Sequence, residues 1–445
     1  MNENFSISAH WIPRQEQSRP EDVVADIRID LLEKNLTENY DLRDNAQKSS
    51  VALAPYPMAL WFVSNWWRLR WEPTPQRPST DWRMSHLLSA AGYGYSWPTI
   101  GFQTDGETIR ITSLPTTGTD GSSVICLTPF SALISAKKFE QEIASFVDIC
   151  NEAFGETDVL ALWNILQDEQ NDRELAMFRQ IEARLGYDAG EGPEEAVMSI
   201  MNRARSVGAH SVQELSYLLH NDALAGEEIL ALEKHEAGIP IRISSLAPLR
   251  ELARQERDRL LPWDLGYALA REARRIWGIR DVFSTEDLCG ILETSPDRLF
   301  AAPHRNNSFG LGARRGGDNA FSVLLNKRQP TAIRFMVSRL ICDAVIAPED
   351  DTILPATADK TARQKTQRAF AAELLCPIEQ IRERMGDDYR DEDLWGEMAE
   401  DFNVNPLVIK TQLANHHLIP QFENTDLWFD SLPLVTPAYA TQEFM

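Results

Sequence analysis

The stretch RFMVSRLICD, from Arg334 to Asp343, decides how the second half of this chain is read. With its flanks it places Ile333, Met336, Val337, Leu340, Ala344 and Val345 on one face at about 100° per residue, which predicts a helix entering a core. Pro330 suits the first turn of such a helix. Arg339 and Asp343 fall one turn apart beside the apolar stripe. Upstream, SFGLGARRGGDNAFSVLLN (308–326) reads as a hairpin. Phe309 and Leu311 alternate on one arm, and Phe321, Val323 and Leu325 on the other. Its glycines match neither GxGxxG before a helix nor a phosphate loop, so they read as a turn. Downstream, a polar loop (348–361) leads to a helix, RQKTQRAFAAELLCP (363–377), stopped by Pro377.

Further out, LGYALAREARRIWGI (265–279) is amphipathic, and STEDLCGILE (284–293) opens with a Ser cap and an acidic first turn. Helical pieces continue through DLWGEMAEDFNVNPLVIKTQLANHHLI (393–419). Towards the N-terminus, residues 127–245 show helical periodicity in FSALISAKKFEQEIASFVDICNEAF (130–154), DVLALWNIL (158–166) and ELAMFRQIEARLG (174–186). DAGEGPEEA (188–196) reads as a loop or hinge. VADIRIDLL (24–32) and ETIRITSL (107–114) alternate as half-buried strands do.

Seven of the twelve tryptophans precede residue 100, concentrated in MALWFVSNWWRLRWEP (58–73). Trp61, Trp66, Trp67 and Trp71 with Arg68 and Arg70 admit three readings. They form a core with snorkelling arginines, an interaction surface, or a base-stacking surface.

The chain has 445 residues, more than one core ordinarily holds. Its net charge of −23 opposes nonspecific binding to phosphate backbones, so nucleic acid is not an expected partner. Five scattered cysteines form no CxxC pair and read as reduced, buried thiols. No secretory leader is visible, and no apolar run reaches the roughly 18 residues of a spanning helix. The expectation is a cytoplasmic protein without membrane contact. The fold class read from these patterns is α+β and multi-domain. A Trp-rich α+β domain (1–126) is followed by a helical connecting region (127–254), a domain of helices around a small sheet (255–421) and a tail (422–445).

The order of elements over about 255–420 resembles the ImmA/IrrE family of bacterial zinc metallopeptidases. Arg334-Phe335 stands for the family's Arg-Phe pair, and FAAELLCP (370–377) is close to the end of its ligand-bearing helix. LAREARRIWGI (269–279) resembles its first helix, and AEDFNVNPLVIKTQLANHHLI (399–419) its last module. The resemblance implies a zincin-like fold and a His-Glu-x-x-His helix. Two imidazoles one turn apart hold zinc there, a Glu activates water, and the next helix adds a third ligand. Carried over, the first His position is Arg339, the Glu position Leu340, the second His position Asp343 and the third-ligand position Gln364. The companion Ala-Asn has become Gln367-Arg368.

None of these four residues suits its inherited task. Arg stays protonated and cannot ligate, and Leu cannot be a general base. No other His-Glu-x-x-His occurs; KHEAGI (234–239) comes nearest and ends on Ile239. Cys342, Cys376 and His304 are conceivable substitute ligands, but Cys342 and Asp343 point about 100° apart on a helix. His416-His417 reads as a helix terminus. No metal or other cofactor is expected. One hypothesis lets Arg339 fill the metal's place and pair with Asp343 at i+4; the plainer reading is an exposed helix pair.

The functional expectation is a pseudoprotease acting through another protein, a repressor-like or defence-system component, in bacterial stress, mobile-element or phage-defence responses. That context is what the family implies. The alternatives are an active zinc metalloendopeptidase using other ligands to cleave a repressor-like protein, and a DNA-binding regulator built on DFNVNPLVIKTQL (401–413).

Overall fold

The computed structural model describes residues 4–13, 19–75, 77–116, 123–234, 236–301, 309–316, 319–386, 388–420 and 434–435. The protein is mixed α+β, with several small sheets, and divides into two compact units. The first runs to Val197 and takes in the segment from Glu423; the second is Met198–Phe422. The stretch 127–254, expected as a connecting region, is therefore shared between two bodies. The boundary falls inside the helix Glu194–Val207.

In the first unit, Phe5–Trp11 pairs antiparallel with Ala25–Leu31, from Phe5 opposite Leu31 to Trp11 opposite Ala25. A second sheet runs in the order Leu434–Val435, Phe130–Ser135, Thr108–Leu114, Thr99–Thr104. Phe130–Ser135 is thus a strand and not the start of a helix, correcting the helical reading of 130–154. Its side chains find partners across Thr108–Leu114, and the helix begins only at Ala136, where Ser135 caps it by accepting from the Lys138 N–H.

The tryptophan-rich stretch forms two helices, Pro55–Ser64 and Trp66–Trp71. Trp61, Trp66 and Trp67 are buried and Trp71 is half-buried, with Arg70 over its ring at 4.3 Å. Arg68 does not snorkel. It is buried and bonded to Glu72, Asp81 and Asp188. The proposed interaction surface at Trp61, Trp66, Trp67, Arg68, Arg70 and Trp71 is corrected accordingly: most of this set lines the interior. Aromatic density served packing, with each indole covering a large apolar area.

The second unit holds one antiparallel sheet in the order Ile239–Arg242, Ala320–Leu324, Gly310–Arg314, Ile353–Ala356. The central pair is the expected hairpin. The edge strand lies within residues 348–361, which the sequence reading took for a polar loop. All four of its residues are buried. The helix Pro330–Ile346 packs on this sheet, and the helix Ala362–Leu375 packs on it and on Pro262–Ile276. Gly266 permits the last contact: a Cβ there would stand 2.5 Å from the Thr366 carbonyl oxygen. The helix Thr285–Ile291 has the expected cap, a reciprocal box between Ser284 and Asp287. Among the described residues no helix is long and apolar enough to cross a membrane.

Candidate functional site

The helix Pro330–Ile346 is buried along nearly its whole length, its polar residues included. Arg334 is fully enclosed and donates to the Thr285 hydroxyl at 2.8 Å and to the Phe283 carbonyl. It thereby ties this helix to the start of Thr285–Ile291. Burial pulls its pKa down to about 10. Leu340 is plain core.

Arg339 is 5% exposed. Its Nη2 donates to the Thr357 carbonyl at 2.7 Å and to Gln364 Oε1 at 2.5 Å. The same Gln364 oxygen accepts the Thr357 N–H at 2.9 Å. Gln364 Nε2 in turn donates to Glu214 Oε2 at 3.0 Å and to the Pro355 carbonyl at 3.1 Å. Thr361 Oγ1 donates to that Glu214 oxygen at 2.7 Å. Burial, and then the nearby charge of Arg368, depress Arg339 to about 9.

Asp343, wholly buried, pairs with Arg363 through both oxygens, at 2.7 and 2.8 Å. Burial pushes this carboxyl up and the guanidinium pushes it back. Arg363 is held well above its ordinary value by Asp343 and Asp351 against the cost of burial. Its Nη1 reaches Asp351 Oδ2 at 2.7 Å. Asp351 Oδ1 accepts the Ser211 N–H at 3.3 Å, in the first turn of the helix Ala209–Asn221. Gly208, at φ +94, makes that approach possible, because a Cβ there would lie 2.3 Å from Asp351 Oδ1.

The expected pairing of Arg339 with Asp343 is thus replaced by two separate contacts, Arg339 with Gln364 and Asp343 with Arg363. Neither polar group is exposed. The site positions that sequence singled out do come together: Arg339, Asp343 and Gln364 share one buried network, with Leu340 beside it. Sequence reasoning missed Arg363, Glu214, Asp351 and Thr357. For Arg363 the signal was the polar run RQKTQR (363–368) opening its helix; Glu214, Asp351 and Thr357 gave none.

The edge strand is closed by the same network. Arg314 N–H bonds the Thr352 carbonyl at 2.9 Å, so the carbonyls of Ile353 and Pro355 face away from the sheet. Ser211 Oγ donates to Ile353, and Gln364 and Gln367 Nε2 donate to Pro355 at 3.1 and 2.9 Å. Pro355 has no N–H to offer.

Three of the four positions carry polar donors or acceptors, but they do not fit a zinc ion. Arg339 is cationic, both Asp343 oxygens are committed to Arg363, and Gln364 Oε1 accepts two N–H groups. Cys342 and Cys376 are buried, and burial pushes both thiols up. His304 lies outside the described residues. His416 packs against Tyr267 at 4.8 Å and is lowered to about 4, chiefly by burial. Among the described residues one group has metal-like spacing, His210, Asp350 and Asp351, with ligand atoms within 4.8 Å of one another. Its Asp351 is already held by Arg363 and Ser211.

No family model matches the chain, and neither a curated protein nor a solved structure matches it.

Proposed function

We propose that this chain is an ImmA/IrrE-like protein without peptidase chemistry, whose zincin-like region binds another protein instead of cutting it. The observation that carries this reading is the bonding of the inherited ligand positions into the network: Arg339 to Gln364, and Asp343 to Arg363. A catalytic zinc needs neutral imidazoles or carboxylates with free lone pairs and an open position for water. Here each lone pair that would face the metal faces a guanidinium or an amide. The closed edge strand supports the same reading, since a peptide laid beside it would find its carbonyls already bonded. The partner is a protein, repressor-like or part of a defence system, in a bacterial stress, mobile-element or phage response.

A metalloendopeptidase with other ligands is favoured by one observation, the His210, Asp350 and Asp351 group. The DNA-binding reading draws on Lys410 alone within 401–413, and that ammonium lies 5.4 Å from the Trp395 ring centre. Metal content decides between the first two. Untagged protein, stripped with chelator and offered zinc, is measured by inductively coupled plasma mass spectrometry. Less than a tenth of an equivalent is expected. One tightly held zinc per chain, lost in His210→Ala, would overturn the proposal in favour of the enzyme.

A further inference from the structure

A recess of about 500 Å³ in the second unit is lined by Arg250, Arg254, Arg257, Arg314 and Arg315. Its acidic lining is Asp258 and Glu349, which leaves five positive charges against two negative ones. In a chain of net charge −23 this is a local reversal of sign, and a concave wall concentrates its field.

Part of this charge has a structural task. Arg250 Nε donates to the Ala344 carbonyl at 3.3 Å, Arg257 Nη2 to Ile346 at 2.6 Å, and Arg314 Nε to Asp351 at 2.8 Å. The first two satisfy carbonyls at the end of the helix Pro330–Ile346, where cations are favoured. Arg314 Nη2 also reaches the Ala347 and Pro348 carbonyls at 3.3 and 3.4 Å, whereas Arg250 and Arg257 are each held through one nitrogen and keep the rest of the guanidinium available. Among the described residues only Arg254 of the five has a carboxylate partner within salt-bridge reach, Glu251 at 3.0 Å. Burial, and then repulsion from Arg250, depress Arg314. Capping alone explains neither that repulsion nor the presence of Arg315, whose side chain meets no carbonyl among the described residues.

We propose that this recess binds a small organic phosphate carrying two or three negative charges, of about mononucleotide size. Guanidiniums fixed by one edge present the other as a fork, and forks match phosphate oxygens in pairs. A single carboxylate would leave most of the charge unpaired. The volume lies within the range of small-ligand sites. Arg314 also touches the backbone of Asp351, whose side chain joins Arg363 and Asp343, so occupancy is felt one residue from the buried network.

The test is isothermal titration calorimetry of the full chain with ADP and, separately, with pyrophosphate. ADP is expected to bind with a micromolar dissociation constant, weakened at least tenfold in Arg315→Gln and in Arg250→Gln. Among the described residues Arg315 caps nothing, so its variant keeps the fold even where Arg250→Gln does not. Pyrophosphate binding equal to that of ADP would assign the whole ligand to its phosphates and still support the site. No heat from either probe at millimolar concentration would overturn the proposal. So would affinity unchanged in Arg315→Gln, or tighter binding of a DNA oligomer than of ADP.

Discussion

Asp343 and Arg363 meet through two parallel bonds, although 20 positions separate them and Arg339 stands one turn from Asp343 on the same helix. The pair crosses between two helices and is buried on both sides. Removing Arg363 leaves both Asp343 and Asp351 enclosed without their guanidinium. Arg363→Ala is expected to lose about 3–5 kcal/mol in urea unfolding. A double-mutant cycle with Asp343→Ala should return a coupling of kcal/mol size. A coupling of only a few tenths would mean the pair is solvated.

Arg339 behaves differently, because among the described residues it has acceptors but no carboxylate of its own. Its folded pKa of about 9 lies well below the ordinary guanidinium value. Between those values the unfolded chain binds more protons, so this contribution to stability rises with pH above 9 and is absent below it. Arg339→Met, of similar volume, leaves the Thr357 carbonyl and the Gln364 oxygen without this donor and is expected to cost about 1–3 kcal/mol at pH 7. Its deficit against the parent protein should widen between pH 8 and 10 in parallel urea titrations. A deficit that shrinks across that interval would refute the assignment.

Glycines separate by what a Cβ would meet. Gly208→Ala combines a positive φ with a clash against Asp351, and Gly266→Ala forces apart two packed helices. Each should cost more than about 2 kcal/mol. Gly396 lies in the helix Glu392–Asp401 with nothing within 4 Å of a Cβ. Gly396→Ala should therefore stabilise by about 0.5–1 kcal/mol. Thermal unfolding of the three variants checks the order.

In the first unit, His86 is fully buried, stacks on Trp82 at 4.1 Å and is lowered to about 3 by burial. Its stabilising contribution is present above pH 6.5 and is lost as pH falls towards 3. Glu72, 3.8 Å away, is raised by burial to about 7, so its contribution grows as pH falls from 7 to 4.5. The two offset one another above pH 4.5, and stability should drop steeply only below it. His86→Leu is expected to flatten that acid limb. An unchanged limb in circular dichroism at pH 3–4.5 would assign acid sensitivity elsewhere.

Long periodic segments were legible in sequence because their core faces repeat. The helix Pro330–Ile346, the hairpin before it and the Ser284 cap all follow from local pattern. Ile353–Ala356 was hidden because four residues with a proline carry too little periodicity inside a polar run. Phe130–Ser135 was absorbed into the helix it precedes, since strand pairing with Thr108–Leu114 is not a local property. At the site, spacing put Arg339 and Asp343 one turn apart and the family resemblance pointed to Gln364, but the i,i+4 rule named the wrong partner for Asp343. Buried charges take partners from whichever element packs against them, and Arg363 comes from the next helix.

The interlocking of these side chains has an evolutionary consequence. A histidine introduced at 339 alone would strand the Gln364 oxygen and the Thr357 carbonyl. One introduced at 343 alone would leave Arg363 facing Asp351 with surplus charge. Each single substitution therefore passes through a less stable protein, so Arg339, Asp343, Arg363 and Gln364 are held together by epistasis. Change at one of these positions is tolerated only with a compensating change at its partner.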